Sequence, residues 1–228
     1  MPPNITVPLA STVCYALAYL TGLAAFCIMA KKRRLATQGM MAVMGAGLIG
    51  GLVSANVIQI LTGSPGKTVL GAIAGGYLVV TLYKRKLGIT RPTGDMFAVA
   101  ICAGEAVGRW GCFFGGCCYG KACSVGWAVW QHDAWRHPAQ LYLSAACLVI
   151  LGILLLYMRR NPPENAIFYL QGALYCIARF VVEFYREGSV LAVGLTLAQW
   201  ACLAGFIFFA IRLRMLLSAQ RPDFALES

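Results

Sequence analysis

The chain has 228 residues, 60% hydrophobic and 12% charged, and its 19 Lys and Arg against 8 Asp and Glu leave a net charge of +11. A soluble domain carries about 25% charged residues, so the composition excludes a soluble enzyme and a disordered chain alike. A nucleic-acid surface is excluded too, because Lys and Arg stand in short runs between long apolar stretches instead of clustering on one polar face.

What remains is an all-α polytopic membrane protein. A helical crossing takes about 20 apolar residues, so the chain accommodates about seven or eight crossings joined by short loops. It reads as one transmembrane domain over 1–228, with no room for a separate soluble one. The first apolar stretch, Val7–Ala30, has no basic residue before it and is followed by Lys31-Lys32-Arg33-Arg34. A cleaved signal peptide has the opposite order, so this stretch is a retained span with its N-terminus outside. The second and third stretches are Met40–Leu61 and Val69–Tyr83, separated by the turn Gly63-Ser64-Pro65-Gly66. Gly47 with Gly51, and Gly71 with Gly75, form G-x-x-x-G pairs suited to close helix packing. The fourth stretch is Met96–Gly111. Residues 112–140 then form the one long connection, expected outside the membrane, and Leu141–Tyr157, Asn161-Pro162-Pro163, Phe168–Phe184 and Leu195–Ile211 complete the pattern.

The basic residues test this count. Lys31, Lys32, Arg33, Arg34, Lys84, Lys86, Arg85, Arg91, Arg159, Arg160, Arg212, Arg214 and Arg221 follow odd-numbered spans, whereas Lys67, Lys121, Arg136 and Arg186 follow even-numbered ones. Basic loops stay cytoplasmic, so this 13-to-4 division predicts seven helices, N-terminus outside and C-terminus inside, and adding or dropping one span scrambles it. The remaining two, Arg109 and Arg179, fall in spans.

Ionisable groups at membrane depth are costly and mark functional sites. Glu105 with Arg109, and Arg179 with Glu183, are spaced i,i+4 and share a helix face. Each pair either neutralises itself or lines a common polar cavity, where two guanidiniums would clamp a phosphate. The stretch from Gly108 to Gly120 contains five glycines able to bring backbone N–H groups close to an anion. Arg136-His137-Pro138-Ala139-Gln140-Leu141-Tyr142 adds a basic, hydrogen-bonding entrance before the fifth span.

The long loop also carries Cys112, Cys117, Cys118 and Cys123, in the pattern C-x4-C-C-x4-C. In an oxidising compartment the first reading is one or two disulfides bracing the loop, with three pairings open. A redox or acceptor thiol is the second reading, and zinc the third, with His132 and His137 able to complete a site. Cys14, Cys27, Cys102, Cys147, Cys176 and Cys202 read as small packing residues, and Trp127, Trp130 and Trp135 as interfacial anchors.

Taken in order, these motifs resemble the bacterial prolipoprotein diacylglyceryl transferases. Gly108-Arg109-x-Gly111-x-Phe113, ending in Gly120, is similar to that family's G-R-x-G-N-F-x-N-x-E-x-x-G. Arg136 to Tyr142 is similar to R-H-P-[ST]-Q-L-Y-E. Tyr175, Arg179, Glu183 and Arg186 match Y-x-x-x-R-x-x-x-E-x-x-R, and Gly194 to Gln199 looks like G-[LM]-S-M-G-Q. The resemblance runs from about Thr68 to Trp200, and it implies a multi-pass protein of the bacterial cytoplasmic membrane that needs no cofactor or resident metal. It implies that a substrate thiolate attacks the glyceryl carbon of a phosphatidylglycerol-like lipid and releases glycerol phosphate, the acceptor being a lipoprotein precursor. Arg109 and Arg179 would hold the phosphate; Tyr142, Gln140 and Tyr175 would orient the headgroup; Glu183 would position Arg179, and Arg186 would draw in anionic lipid. The departures are specific. The third-span H-G-G-L-I-G is Leu70-Gly71-Ala72-Ile73-Ala74-Gly75, without its histidine. Within the signature, the asparagines become Cys112 and Gly115 and the glutamate becomes Cys117, and Leu143 replaces the glutamate after Q-L-Y. The general base of the family is therefore replaced, which puts Cys117 among the catalytic candidates. The alternatives are a thiol-redox or metal-handling protein, or a lipid-binding subunit without activity, on the same scaffold.

Overall fold

The computed structural model describes residues 7–34, 38–62, 69–188 and 190–219, with side chains at all of these except 38, 55, 58, 59, 61, 62 and 69–74. The turn Gly63-Ser64-Pro65-Gly66, the basic residues Lys67 and Arg221 and the side chain of Leu70 lie outside the described residues.

Every apolar stretch becomes a helix: α1 (Pro8–Lys32), α2 (Gln38–Thr62), α3 (Val69–Lys86), α4 (Gly94–Phe114), α5 (Ala139–Met158), α6 (Ala166–Glu183) and α7 (Leu197–Ser218). A helix satisfies its own backbone, which a chain in hydrocarbon must do. Among the described residues, α1, α4, α5, α6 and α7 are long and apolar enough to cross a membrane. The apolar run in α2 is shorter, Gly39–Ser54, and α3 closes on Lys84, Arg85 and Lys86. The fold is all-α but for one hairpin between α4 and α5. In it β1 (Val129–Gln131) pairs antiparallel with β2 (Ala134–Arg136), Trp130 facing Trp135.

The chain divides into two compact units. The smaller, Phe26–Pro92, contains the end of α1 with α2 and α3, around the buried residues Phe26, Met29, Met40 and Val43. Its two full helices meet backbone to backbone. A Cβ added at Gly76 would lie 3.2 Å from the Gly47 carbonyl and 3.7 Å from the Gly51 Cα, and one at Gly75 only 2.1 Å from Ser54 Cβ. Gly47, Gly51 and Gly75 thus serve the packing expected of small-residue pairs.

The larger unit holds the first part of α1 and everything after Thr93. Gly22 and Gly104 let α1 and α4 touch: a Cβ on Gly104 would sit 3.7 Å from Gly22 Cα. Ser144 Oγ donates to the Ala106 carbonyl at 2.5 Å, tying α5 to α4, and the Phe168 N–H donates to Asp95 Oδ1 at 3.0 Å, tying α6 to the start of α4. Gly172 lies against the Phe209 ring, tying α6 to α7. The outward faces of α5 and α7 are apolar and exposed, as at Val149, Leu156, Ile207 and Phe208, a surface that suits lipid and not water.

The tightness of the α2–α3 contact gives a first test. Gly75→Leu should lower the stability of detergent-solubilised protein by about 3 kcal/mol through overpacking, read as a drop in thermal midpoint. An unchanged midpoint would mean that the two helices do not meet at Gly75.

Candidate functional site

The site grows from the way α4 ends. Gly115 N–H bonds back to the Gly111 carbonyl at 2.9 Å, Gly116 N–H to Phe113 at 3.2 Å, and Cys117 N–H to Cys112 at 3.1 Å. Gly116 has φ +66°, which glycine adopts without steric cost. This is a Schellman motif, whose geometry folds the second residue past the cap over the third from the helix end. Here those residues are Cys117 and Cys112. The expected loop therefore starts three residues later than predicted: Cys112 belongs to the last turn of α4, and the connection runs over 115–138.

Cys118 follows with φ +59°, and the sulfurs of Cys112, Cys117 and Cys118 all lie within 4.8 Å of one another. All ten cysteines are free thiols. This corrects the expectation of disulfides among Cys112, Cys117, Cys118 and Cys123. The helix cap gathers the first three as a hydrogen-bonded thiol cluster, while Cys123 is held apart beside β2, its N–H donating to the Trp135 carbonyl at 2.9 Å. Tyr15, from α1, donates its hydroxyl to Cys112 Sγ at 3.4 Å and lies 4.0 Å from Cys117 Sγ. Hydrogen bonds from the Cys112 and Cys117 thiols, helped by the nearby guanidiniums of Arg186 and Arg109, hold the Cys118 thiol well below the ordinary thiol range. The same bonds to Cys112 and Cys118, with burial, push the Cys117 thiol up.

Beside the thiols stand Arg109 and Arg186, and Glu183 links Arg186 to a third arginine, Arg179. Arg109 is ion-paired with Glu105 one turn earlier on α4, and the Tyr175 hydroxyl on α6 donates to the same carboxylate oxygen at 2.7 Å. Two turns further along α6, Glu183 Oε2 pairs with Arg179 and receives Arg186 at 3.3 Å, while its Oε1 accepts from Thr196 Oγ1 at 3.2 Å. Thr196 is the N-cap of α7 and forms a capping box with Gln199, so the buried Glu183 joins the end of α6 to the start of α7. Three guanidiniums against two carboxylates leave one positive charge. Arg179 has no further partner among the described residues, and the buried Nε of Arg186 has none.

The rest of the connection is a brace. Gln131 and Ala134 are joined by His132 and Asp133, both at positive φ, as a two-residue hairpin turn requires. His132 Nε2 lies 2.6 Å from the Gly116 carbonyl and its ring rests on Tyr119. Arg136 donates to the Gln131 carbonyl at 2.9 Å and to that of Gly120 at 3.3 Å, pairs with Glu187 and lies over the Tyr119 ring. Gln140 Nε2 donates to the Cys117 carbonyl at 2.8 Å, and its buried Oε1 has no partner. His137 Nδ1 lies 3.1 Å from the Tyr142 hydroxyl, to which Trp127 also donates at 2.7 Å.

The structure thus brings Arg109, Tyr175, Cys117, Cys118, Arg179, Glu183 and Arg186 into one group, with Gln140 adjoining it through Cys117. Arg136, His137 and Tyr142 belong to the brace. The signature glycines face protein: Gly108 packs on Ala18, a Cβ on Gly111 would lie 2.9 Å from the Tyr15 ring, and one on Gly120 would lie 2.2 Å from the His137 carbonyl and 2.8 Å from that of Tyr185. Sequence reasoning missed Tyr15, Thr196 and Glu187. Thr196-x-x-Gln199 is a legible capping signal; Tyr15 carries none. An open recess of about 510 Å³, lined by Cys118, Tyr119, Arg186, Glu187 and Gly188, leads to the thiols.

Residues 4–215 match the family described as Prolipoprotein diacylglyceryl transferase, so the similarity takes in the first helices as well as the motif-bearing stretch. The phosphatidylglycerol–prolipoprotein diacylglyceryl transferase of Gloeobacter violaceus is 33% identical over 161 residues, 65% of this chain and 60% of the relative. Phosphatidylglycerol–prolipoprotein diacylglyceryl transferase 1 of Streptomyces coelicolor is 32% identical over 166 residues, covering 68% and 48%. The relative of that name in Clostridium tetani is 27% identical over 192 residues, covering 72% and 77%. The chain spans less than two thirds of the length of the Gloeobacter and Streptomyces relatives.

Gly120 sits where no side chain fits. Gly120→Ala should cost about 3 kcal/mol or more and release the brace, seen as faster proteolysis between α4 and α5 together with a lowered thermal midpoint. Wild-type resistance to protease in that variant would show that the Gly120–His137 approach is not as described.

Proposed function

The chain belongs to the prolipoprotein diacylglyceryl transferase family, and on that premise we propose that it is a membrane transferase acting on a phosphatidylglycerol-like lipid. The observation that carries this reading is the arginine group. Arg109 gives one guanidinium nitrogen to the Glu105 carboxylate and, at 3.5 Å, to the Tyr175 hydroxyl, and Arg179 gives one N–H to Glu183; the other nitrogens of both forks have no hydrogen-bond partner among the described residues, and Arg186 adds a buried, unpartnered Nε. With one positive charge in excess, the group suits a phosphate, which guanidiniums bind bidentately.

The chemistry follows from that position. An acceptor thiolate attacks the glyceryl carbon bonded to the phosphate oxygen. The C–S bond forms as the C–O bond breaks, and glycerol phosphate leaves with both electrons. Arg109 and Arg179 stabilise the charge that grows on the departing oxygen. Tyr175 and Gln140 orient the headgroup, Glu183 positions Arg179, and Arg186 draws anionic lipid toward the recess. The acceptor is a cysteine of a lipoprotein precursor or another thiol. The protein would sit in the cytoplasmic membrane of a bacterium with seven crossings, N-terminus outside, a topology supported by the charge division along the chain and by five helices able to span. A second reading, thiol-redox or metal-handling work on the same scaffold, is favoured by the three converging free thiols.

Reconstituted protein given labelled phosphatidylglycerol and a lipobox peptide should yield lipidated peptide and glycerol phosphate, and Arg109→Ala or Arg179→Ala should lower the rate about 100-fold. Folded protein that consumes no lipid with any thiol peptide would overturn the transferase reading. If such protein still retains bound lipid, the lipid-binding subunit replaces it.

A further inference from the structure

The standard reaction needs a base for the acceptor thiol; Leu70 stands where the family has its third-span histidine, and two of the signature's polar positions are Cys112 and Cys117. We propose that Cys112, Cys117 and Cys118 form a three-thiolate site for a borderline-soft d10 divalent cation of the zinc class, with a fourth position open to the acceptor thiol. The second half of this proposal rests on the transferase reading; the cation site does not.

The geometry is close to what such an ion requires. Zinc–sulfur bonds of about 2.3 Å place pairs of thiolates about 4 Å apart, and the three sulfurs already lie within 4.8 Å. They are held there by backbone: the helix cap folds Cys117 over Cys112, Gln140 grips the Cys117 carbonyl at 2.8 Å, and His132 grips that of Gly116 at 2.6 Å. Tyr15 supplies a hydroxyl donor to Cys112, the outer-shell contact that orients a ligating sulfur. Charge is also matched. Three thiolates and one divalent cation carry a charge of −1, and the adjoining guanidinium–carboxylate group carries +1. Neither histidine of the connection completes the shell, since His132 is bound to Gly116 and His137 to Tyr142. Three protein ligands with a vacant position is the pattern of reactive zinc sites, whereas structural sites are closed by four. The recess beside Cys118 gives access to that position. A thiol that coordinates the ion loses its proton to water, and the resulting thiolate attacks the glyceryl carbon while the C–O bond to phosphate breaks. No separate general base is needed.

The test uses full-length reduced protein in detergent or nanodiscs, stripped with chelator and titrated with Zn2+ and, separately, Co2+. The expected result is one equivalent per chain and a sulfur-to-cobalt charge-transfer band whose intensity falls by about one third in Cys117→Ser or Cys118→Ser, one thiolate of three. Cys14→Ser should leave both unchanged. Thermal midpoints of the metal-free variants equal to that of metal-free wild type show that folding is retained. Folded wild type that binds no stoichiometric metal, or binding untouched by Cys117→Ser and Cys118→Ser together, overturns the site. The second arm compares lipid transfer by loaded and stripped protein. Transfer only when loaded supports the open position as the acceptor's. Transfer undiminished by stripping overturns that role, and binding without transfer in either state overturns the transferase reading while the cation site stands.

Discussion

The structure turns on how one helix stops. α4 carries Arg109 in its last two turns and ends through Gly115 and Gly116, with Gly116 at a positive φ. That cap folds the chain back so that Cys117 lies over Cys112, and Cys118, itself left-handed, completes the group. Had the helix run on, successive residues would point to different faces, and the thiols could not converge. The hairpin, Arg136 and Gln140 hold the returning strand of chain in place, and Gly120 lets it pass between His137 and Tyr185.

Around this cap the charges are arranged to be tolerable in an apolar surrounding. Removing one partner of a buried ion pair costs about 3–5 kcal/mol, and here each arginine has its carboxylate. Glu105 serves Arg109 and Tyr175; Glu183 serves Arg179, Arg186 and Thr196. Each i,i+4 pair is neutralised along its own helix, and Glu183 also draws in Arg186 and Thr196. What remains is the single excess positive charge and the unshared N–H groups, which suit an anionic headgroup.

The helices were legible because apolar run length is a strong signal, and each observed helix overlaps its expected stretch, most ends falling within about three residues. The end of α4 was not, because Gly115-Gly116 read as an anion-binding loop when it is a helix cap; the same residues fit both, and only the backbone bonds decide. The packing of Gly108, Gly111 and Gly120 against Ala18, Tyr15 and His137 was equally illegible, since a glycine looks alike whether a ligand or a neighbouring stretch of chain needs the space. The hairpin was hidden because His132-Asp133 lacks the Asn-Gly signature of such turns, its positive φ angles being supported by contacts to Gly116 and Tyr119. The cysteine pattern showed that the thiols mattered but not their state. Disulfide pairing was inferred from compartment and spacing, and a helix cap is invisible to that argument.

Cys112, Cys117 and Cys118 stand together as thiols at the end of α4, beside Arg109 and Arg186. Alkylation of the protein in intact membranes under non-reducing denaturation, followed by mass-spectrometric mapping, reads their state directly. All three should carry the alkyl label after denaturation, with none joined to another or to Cys123. A disulfide linking any two of the four would contradict it.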